Sequence, residues 1–155
     1  MSERFVSDLD GHLGFLLRLA HLDSFTRFFS AAALTESQLT EATLLHLLKL
    51  NPGVRQGVLA RQLRIKRAHM TKIVQGLEAR HLVAQAIPPE DRRSVSLDLT
   101  AEGEAHLATL WPAVLEGEAR VPAGLTPAER ARLLVLLRKL IATPPQLPQE
   151  DAHEP

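Results

Sequence analysis

The spacing of apolar residues between Gln56 and Leu77 constrains this chain more than any other feature of its sequence. It predicts two short helices, over residues 56–63 and 66–80, that meet at a tight turn. Ala60 is small at the point where the second helix would cross the first at a steep angle. The core that the two helices share is predicted to consist of six apolar side chains: Leu59, Leu63, Ile65, Met70, Ile73 and Leu77.

With that core inside, the opposite face of the second helix carries small and polar side chains that point to solvent. The N-terminus of this helix is basic. We therefore predict a recognition helix, one that enters the major groove of double-stranded DNA. The candidate DNA-binding residues of the helix pair are Gln56, Lys66, Arg67, Ala68, His69, Thr71, Lys72 and Gln75.

After the helix pair, the period of the hydrophobic pattern changes from that of a helix to that of a strand. Residues 94–99 alternate between apolar and polar side chains, which predicts a half-buried strand. Residues 82–87 supply a partner strand, and a long polar loop connects the two. A helix-turn-helix followed by such a two-stranded ribbon describes a winged helix. The predicted fold class is therefore α+β, mostly α.

The tip of the ribbon carries the sequence Asp91-Arg92-Arg93. A flexible basic tip can reach the minor groove of DNA, whose negative potential attracts arginine where the groove is narrow. We predict that Arg92 and Arg93 bind DNA and that Asp91 supports the wing by orienting Arg93.

The net charge of the chain is zero, but the charge is unevenly distributed. Residues 55–93 contain nine Lys or Arg and three Asp or Glu, and so carry +6, whereas the other 116 residues carry −6. A basic middle between acidic ends favours a polyanionic partner. Charge alone is also compatible with an ordinary solvated face.

Both ends of the chain carry more apolar residues than one small domain can bury. All five Phe lie in the first 29 residues, and the helix that opens with the capping box Thr126–Glu129 is apolar on nearly all sides. These helices predict a homodimer, with packing of the two helices only against each other as the alternative. Thr100 is predicted to be the N-cap of the helix that follows it, through Leu107 and Leu110 to about Arg120, and Pro112 should kink or divide that helix.

The predicted organisation is one domain over residues 1–143 and a disordered acidic tail over 144–155. Within the domain we predict a DNA-binding lobe at about 39–99, with dimerisation helices at about 5–35 and 100–142.

Several classes of function lack their sequence signals. The chain has no cysteine, and its seven His include no two at i, i+3 or i, i+4, so no metal site is predicted. There is no Gly-rich phosphate loop, nucleophile elbow or His-Glu-x-x-His helix. We therefore predict that the chain is not an enzyme and binds no cofactor. No apolar run is long enough to span a bilayer and no signal-peptide pattern is visible, which predicts a cytoplasmic protein with no membrane partner.

Several of these motifs occur in a fixed order along residues 9–141. The most specific is Asp91-Arg92-Arg93 followed by Leu99-Thr100-x-x-Gly103. The other motifs are Leu39, Leu48, Asn51-Pro52-Gly53-Val54, Leu59-Ala60, Leu63, Ile65, Leu77-Glu78 and Leu82-Val83. Together they resemble the MarR family, the dimeric winged-helix transcriptional regulators of bacteria and archaea.

The resemblance implies a homodimer, held by its first and last two helices, that binds a pseudo-palindromic operator in double-stranded DNA. It also implies a repressor that a small aromatic or phenolic ligand releases, bound in a crevice between the dimer helices and the DNA-binding lobe. Trp111 lies on the helix after the wing, near that crevice, and an ordinary core or interface Trp is the alternative.

Three positions depart from the family pattern. Arg64 and His81 stand where the family usually has Gly, at sites that commonly need a positive φ. The first wing strand reads Ala84-Gln85-Ala86, where the family usually has Arg beside acids. This thinned wing leaves open a second interpretation, a winged-helix protein-interaction module that has lost DNA binding.

Overall fold

The computed structural model describes residues 8–86 and 95–142. They divide into two compact units, a larger one that ends at Val121 and a second that begins at Pro122. The elements of the larger unit are a 3₁₀ turn Asp8–Gly11, α1 Leu13–Ala31, α2 Glu36–Leu50, β1 Val54–Arg55, α3 Gln56–Gln62, α4 Arg67–Ala79, β2 Val83–Ala86, β3 Ser96–Leu99 and α5 Ala101–Arg120. The second unit contains α6, Pro127–Ala142. The predicted class, mostly helical with a small antiparallel sheet, is confirmed.

The core of the larger unit is built around α2, which lies against α5 and β3. Its largest fully buried side chains come from α2, α4 and β3 and are Leu44, Leu45, Leu48, Met70, Val74 and Leu97. α1 also packs against α5, where the buried ring of Phe28 lies against Gly117. α3 and α4, the predicted helix pair, join this core through Leu59, Ala60, Met70, Val74 and Leu77.

The helix starts follow from local capping chemistry. The Thr100 hydroxyl accepts a hydrogen bond from the Gly103 amide at 2.9 Å, so the predicted N-cap of α5 is confirmed. Thr126 and Glu129 form the predicted capping box of α6. Two hydrogen bonds from Thr126, one from its hydroxyl and one from its amide, lower the pKa of the Glu129 carboxyl.

Of the two outcomes expected at Pro112, a kinked or a divided helix, division is wrong, because α5 continues from Ala101 to Arg120. A proline removes the hydrogen bond to the carbonyl four residues earlier. Here both Pro112 and that residue, Ala108, are exposed, so solvent can replace the lost bond. The buried neighbours Leu110 and Val114 hold the helix against the core on either side.

The sheet has the order β1-β3-β2, with both pairs antiparallel. The two wing strands were predicted, but the sheet also includes β1, whose Val54 pairs with Leu97. A strand of two residues is too short to show a hydrophobic period. It is fixed by the preceding turn, where the Gly53 amide donates to Asp98 Oδ1 at 2.6 Å.

Arg64 and His81 both adopt positive φ, at 54° and 57°, as their positions led us to expect. Arg64 forms the turn between α3 and α4, and His81 follows the end of α4. Both are exposed, so the strain of the left-handed conformation is not aggravated by packing.

Candidate nucleic-acid interface

The recognition helix α4 has one buried and one exposed face. Met70, Val74 and Leu77 are buried, whereas Ile73 is only half-buried. Val74 was missing from the predicted core, although it follows Met70 by four residues and therefore shares its face. Each predicted DNA-binding position on the helix or at its N-cap is exposed: Lys66, Arg67, Ala68, His69, Thr71, Lys72 and Gln75.

The N-terminus of α4 is basic. Lys66 is the N-cap residue, Arg67 begins the helix, and the first turn contains no acidic residue. The free N–H groups of a helix N-terminus already favour an anion. The two cations add to that field, so this end of α4 suits a DNA phosphate.

Gln56 joins α3 to the recognition helix. Its side-chain Nε2 donates a hydrogen bond to Thr71 Oγ1 at 3.0 Å, and its backbone N–H donates to the Val95 carbonyl at 2.9 Å. Thr71 Oγ1 in turn donates to the Arg67 carbonyl at 3.0 Å. The structure therefore connects three of the predicted site residues in one chain of hydrogen bonds.

A surface cavity of about 340 Å³ lies beside this hydrogen-bonded chain. Arg55, Arg61 and Arg67 line it together with Gln56 and Thr71. Arg55 and Arg61 were not among the predicted site residues, although both belong to the basic segment. Three guanidinium groups at one cavity can bind phosphate oxygens through several N–H donors.

The other flank of α4 faces a second cavity, of about 470 Å³. His69 and Lys72 line it opposite Glu36 and Glu41 on α2. The predicted site residues are therefore divided between two flanks of one helix. Asp91, Arg92 and Arg93, predicted at the wing tip, lie outside the described residues.

A cluster of ionisable side chains ties the end of α4 to α2 and α5. Arg80 Nη1 and Nη2 lie 2.6 and 3.1 Å from the two carboxylate oxygens of Glu41, and His106 Nε2 lies 2.5 Å from Glu41 Oε1. The side chain of Glu41 is only 15% exposed. We call these three residues the Glu41 cluster. Sequence reasoning missed it, because its members are 26 to 65 residues apart.

Trp111 of α5 is half-buried and its ring stacks on that of His46 of α2, with centroids 3.8 Å apart and planes within 11° of each other.

Among residues 8–86 and 95–142, no group of three or more His, Cys, Asp or Glu is arranged to hold a metal ion. In the same ranges, no helix combines the length and apolar character needed to cross a membrane.

Known proteins resemble this chain over most of its length. The sequence model of the MarR family matches residues 38–94. A putative transcriptional regulatory protein for the hcr operon of Thauera aromatica is 31% identical over 141 residues, which are 90% of this chain and 85% of that protein.

Two solved structures share the fold. The transcriptional repressor CouR, solved on a 23-mer DNA duplex, is 34% identical with a TM-score of 0.76, and the match covers 90% of this chain and 99% of CouR. The Bordetella bronchiseptica protein BpsR, whose DNA binding is regulated by 6-hydroxynicotinic acid, is 26% identical with a TM-score of 0.75. That match covers 90% of this chain and all of the BpsR chain.

Proposed function

Because this chain belongs to the MarR family of transcriptional regulators, we propose that it binds a pseudo-palindromic operator in double-stranded DNA as a homodimer. In this proposal it represses transcription until a small aromatic ligand releases it. It works in the cytoplasm and by binding alone, with no catalytic step.

The observation that carries the proposal is the exposed polar face of α4 beside a cavity with three arginines. Every predicted reading position on α4 is exposed, while Met70, Val74 and Leu77 on its other face are buried in the core. Next to that face, the Arg55, Arg61 and Arg67 side chains can contact the phosphates of the DNA backbone. This combination of readers and phosphate binders suits specific binding to duplex DNA.

The homodimer is supported by the apolar surfaces of α1 and α6. Leu13 and Leu22 on α1 are 62% and 51% exposed, and Val135 and Ile141 on α6 are 59% and 60% exposed. The residues of α6 are all at least partly exposed in the single chain. Large apolar side chains exposed in such numbers along a helix are normally covered by a partner, and a two-fold dimer would place two copies of α4 in successive major grooves.

The proposed ligand is a small aromatic acid, by analogy with the 6-hydroxynicotinic acid that regulates BpsR. Trp111 is the only Trp of the chain, so its fluorescence reports on one site. Titration with hydroxylated benzoic and nicotinic acids should release the protein from DNA. A panel in which no acid changes DNA affinity would contradict this part of the proposal.

DNA binding is tested by selecting duplexes from a randomised pool and measuring affinity for the selected and scrambled duplexes across a salt series. Affinity must fall as salt rises, because bound phosphates release counterions. Arg67→Gln and Arg93→Ala should each make the slope of log affinity against log salt concentration shallower, by roughly one to two units per dimer. Arg120→Gln is the matched control. It lies about 26 Å along α5 from Gly103, which packs against Leu82 just beyond the end of α4.

The thinned wing favours a second candidate function, a protein-interaction module. In β2, Ala84, Gln85 and Ala86 are exposed and carry no cation. If the wild-type protein selects no duplex and shows no salt-dependent binding, this second function replaces the first. If it selects a palindrome but Arg93→Ala leaves both affinity and slope unchanged, the role predicted for the wing is wrong.

A further inference from the structure

The hydroxyl of Thr71 has already committed its hydrogen. It donates to the Arg67 carbonyl and accepts from Gln56 Nε2, in both cases at 3.0 Å. A hydroxyl has one hydrogen and two acceptor lone pairs. Thr71 is exposed, and its hydroxyl therefore has one acceptor lone pair, but no hydrogen, left for a further partner.

This arrangement distinguishes between the two kinds of DNA contact. Phosphate oxygens are acceptors, so a group that binds them must donate a hydrogen. Arg55, Arg61 and Arg67 can donate to phosphates from the same cavity, whereas Thr71 cannot while its present bonds hold. In the major groove, the donors that meet an acceptor are the amino groups at adenine N6 and cytosine N4.

We propose that Thr71, held by Gln56, accepts a hydrogen bond from the amino group of an adenine or a cytosine in each half-site. This inference rests on the proposed function, since it assumes that α4 enters the major groove. Thr71 is then a residue that determines sequence specificity. Gln56 is a positioning residue, because its side-chain amide on α3 donates to the Thr71 hydroxyl on α4. That bond occupies one of the two lone pairs and so determines which one remains for DNA.

The test uses duplexes that the wild-type protein has selected from a randomised pool. Each adenine or cytosine of the half-site is replaced, in both half-sites, by purine or 2-pyrimidinone, which lack the amino group. Affinities are compared for the wild type and for Thr71→Val, Thr71→Ser and Gln56→Met. Thr40→Val is the matched control, because the Thr40 hydroxyl makes the same bond to the carbonyl four residues earlier, at 3.0 Å.

At one symmetric pair of positions, loss of the amino group should weaken wild-type binding by about tenfold to a hundredfold. This is the effect expected when one hydrogen bond is lost in each half-site. Thr71→Val should bind the intact and altered duplexes equally well at that position. Thr71→Ser and Thr40→Val should discriminate as the wild type does. Gln56→Met should discriminate less while its salt slope stays unchanged. Weaker base pairing in the altered duplexes affects every variant alike.

The assignment is overturned if Thr71→Val discriminates as well as the wild type at every position. It is also overturned if this variant loses affinity equally for all duplexes, which is the result expected of a backbone contact. The positioning role of Gln56 is overturned if Gln56→Met discriminates fully. A wild type that selects no duplex contradicts the proposed function instead, so the two failures can be told apart.

Discussion

Gly103 offers the most direct test of how the recognition helix is joined to α5. A Cβ at this position would lie 2.1 Å from the Leu82 carbonyl oxygen and 2.6 Å from Leu99 Cδ1. Even a close carbon–oxygen contact is about 3.3 Å. The backbone would therefore have to move by more than 1 Å, roughly the difference between these distances, and a backbone carbonyl cannot rotate away as a side chain can.

The magnitude follows from three contributions. Overpacking in a fixed core costs about 3 kcal/mol at the upper end of its usual range. Moving the Leu82 carbonyl also weakens the hydrogen bond that it accepts from the Thr100 amide at 3.2 Å, which adds about 1 kcal/mol. Alanine is favoured over glycine in a helix by up to about 1 kcal/mol. We expect Gly103→Ala to lower the free energy of unfolding by about 3 kcal/mol.

Urea denaturation at a fixed protein concentration measures this effect. If the free energy of unfolding falls by about 2 kcal/mol per M urea, the midpoint of unfolding should shift by roughly 1.5 M. Two glycines provide controls. In Gly117→Ala the new Cβ would lie 2.6 Å from the Phe28 ring, so a side chain rather than a backbone carbonyl has to shift, and the variant should cost less. Gly76→Ala has open space around it and should raise the stability by up to about 1 kcal/mol. If Gly103→Ala stays within about 0.5 kcal/mol of the wild type, the reasoning about this joint is refuted.

Three further substitutions test other parts of the structure. His81→Gly removes a side chain from a residue at φ 57° and should stabilise the protein by up to about 1 kcal/mol in urea denaturation; a destabilised variant would contradict the assigned strain. Glu41→Ala leaves two basic partners without their carboxylate and should cost about 1–2 kcal/mol in the same assay, against about zero for an exposed acid such as Glu118→Ala. Thr126→Ala removes the hydroxyl that lowers the pKa of Glu129, so an NMR titration should show that pKa returning towards its ordinary value. Because that pKa is lowered on folding, the capping contribution is present above the unfolded pKa and is lost as the pH falls through the folded one.

The helix pair could be predicted closely because its signals are local. Helix α3 was predicted over 56–63 and is Gln56–Gln62, and α4 was predicted over 66–80 and is Arg67–Ala79. Apolar spacing and turn chemistry act within a few residues, so a single sequence carries them. The positive φ of Arg64 was indicated instead by the resemblance to the MarR family, which usually has Gly at this position.

The connections within the site could not be predicted in this way. The bond from Gln56 to Thr71 spans 15 residues, and the contact from Glu41 to His106 spans 65. Polar residues show no periodicity that would indicate which of them meet in the fold. The sequence indicated which side chains α4 exposes, but the donor that Thr71 has already used is visible only once α3 and α4 are placed together.

The joint between α4 and α5 is made of chemically different contacts at one place. The Thr100 hydroxyl donates to the His81 carbonyl at 2.6 Å, and Gly103 lies directly against the Leu82 carbonyl. The Glu41 cluster adds a third connection between the end of α4 and α5. Contacts of different kinds do not weaken together under one small displacement. We therefore expect α4 and the first half of α5 to move as one body when DNA or a ligand binds.

Spin labels can test this rigidity, because the chain has no native cysteine to compete for them. Ala79→Cys on α4 and Ala108→Cys on α5 are exposed positions within one protomer. In labelled protein diluted with unlabelled protein, their distance should stay the same with and without selected DNA. In undiluted protein, the distance between the two copies of a single label at position 79 should change if the lobes reorient to fit successive grooves. A shift in the first distance larger than the spread of the labels would show that α4 moves against α5, and would refute a rigid joint between them.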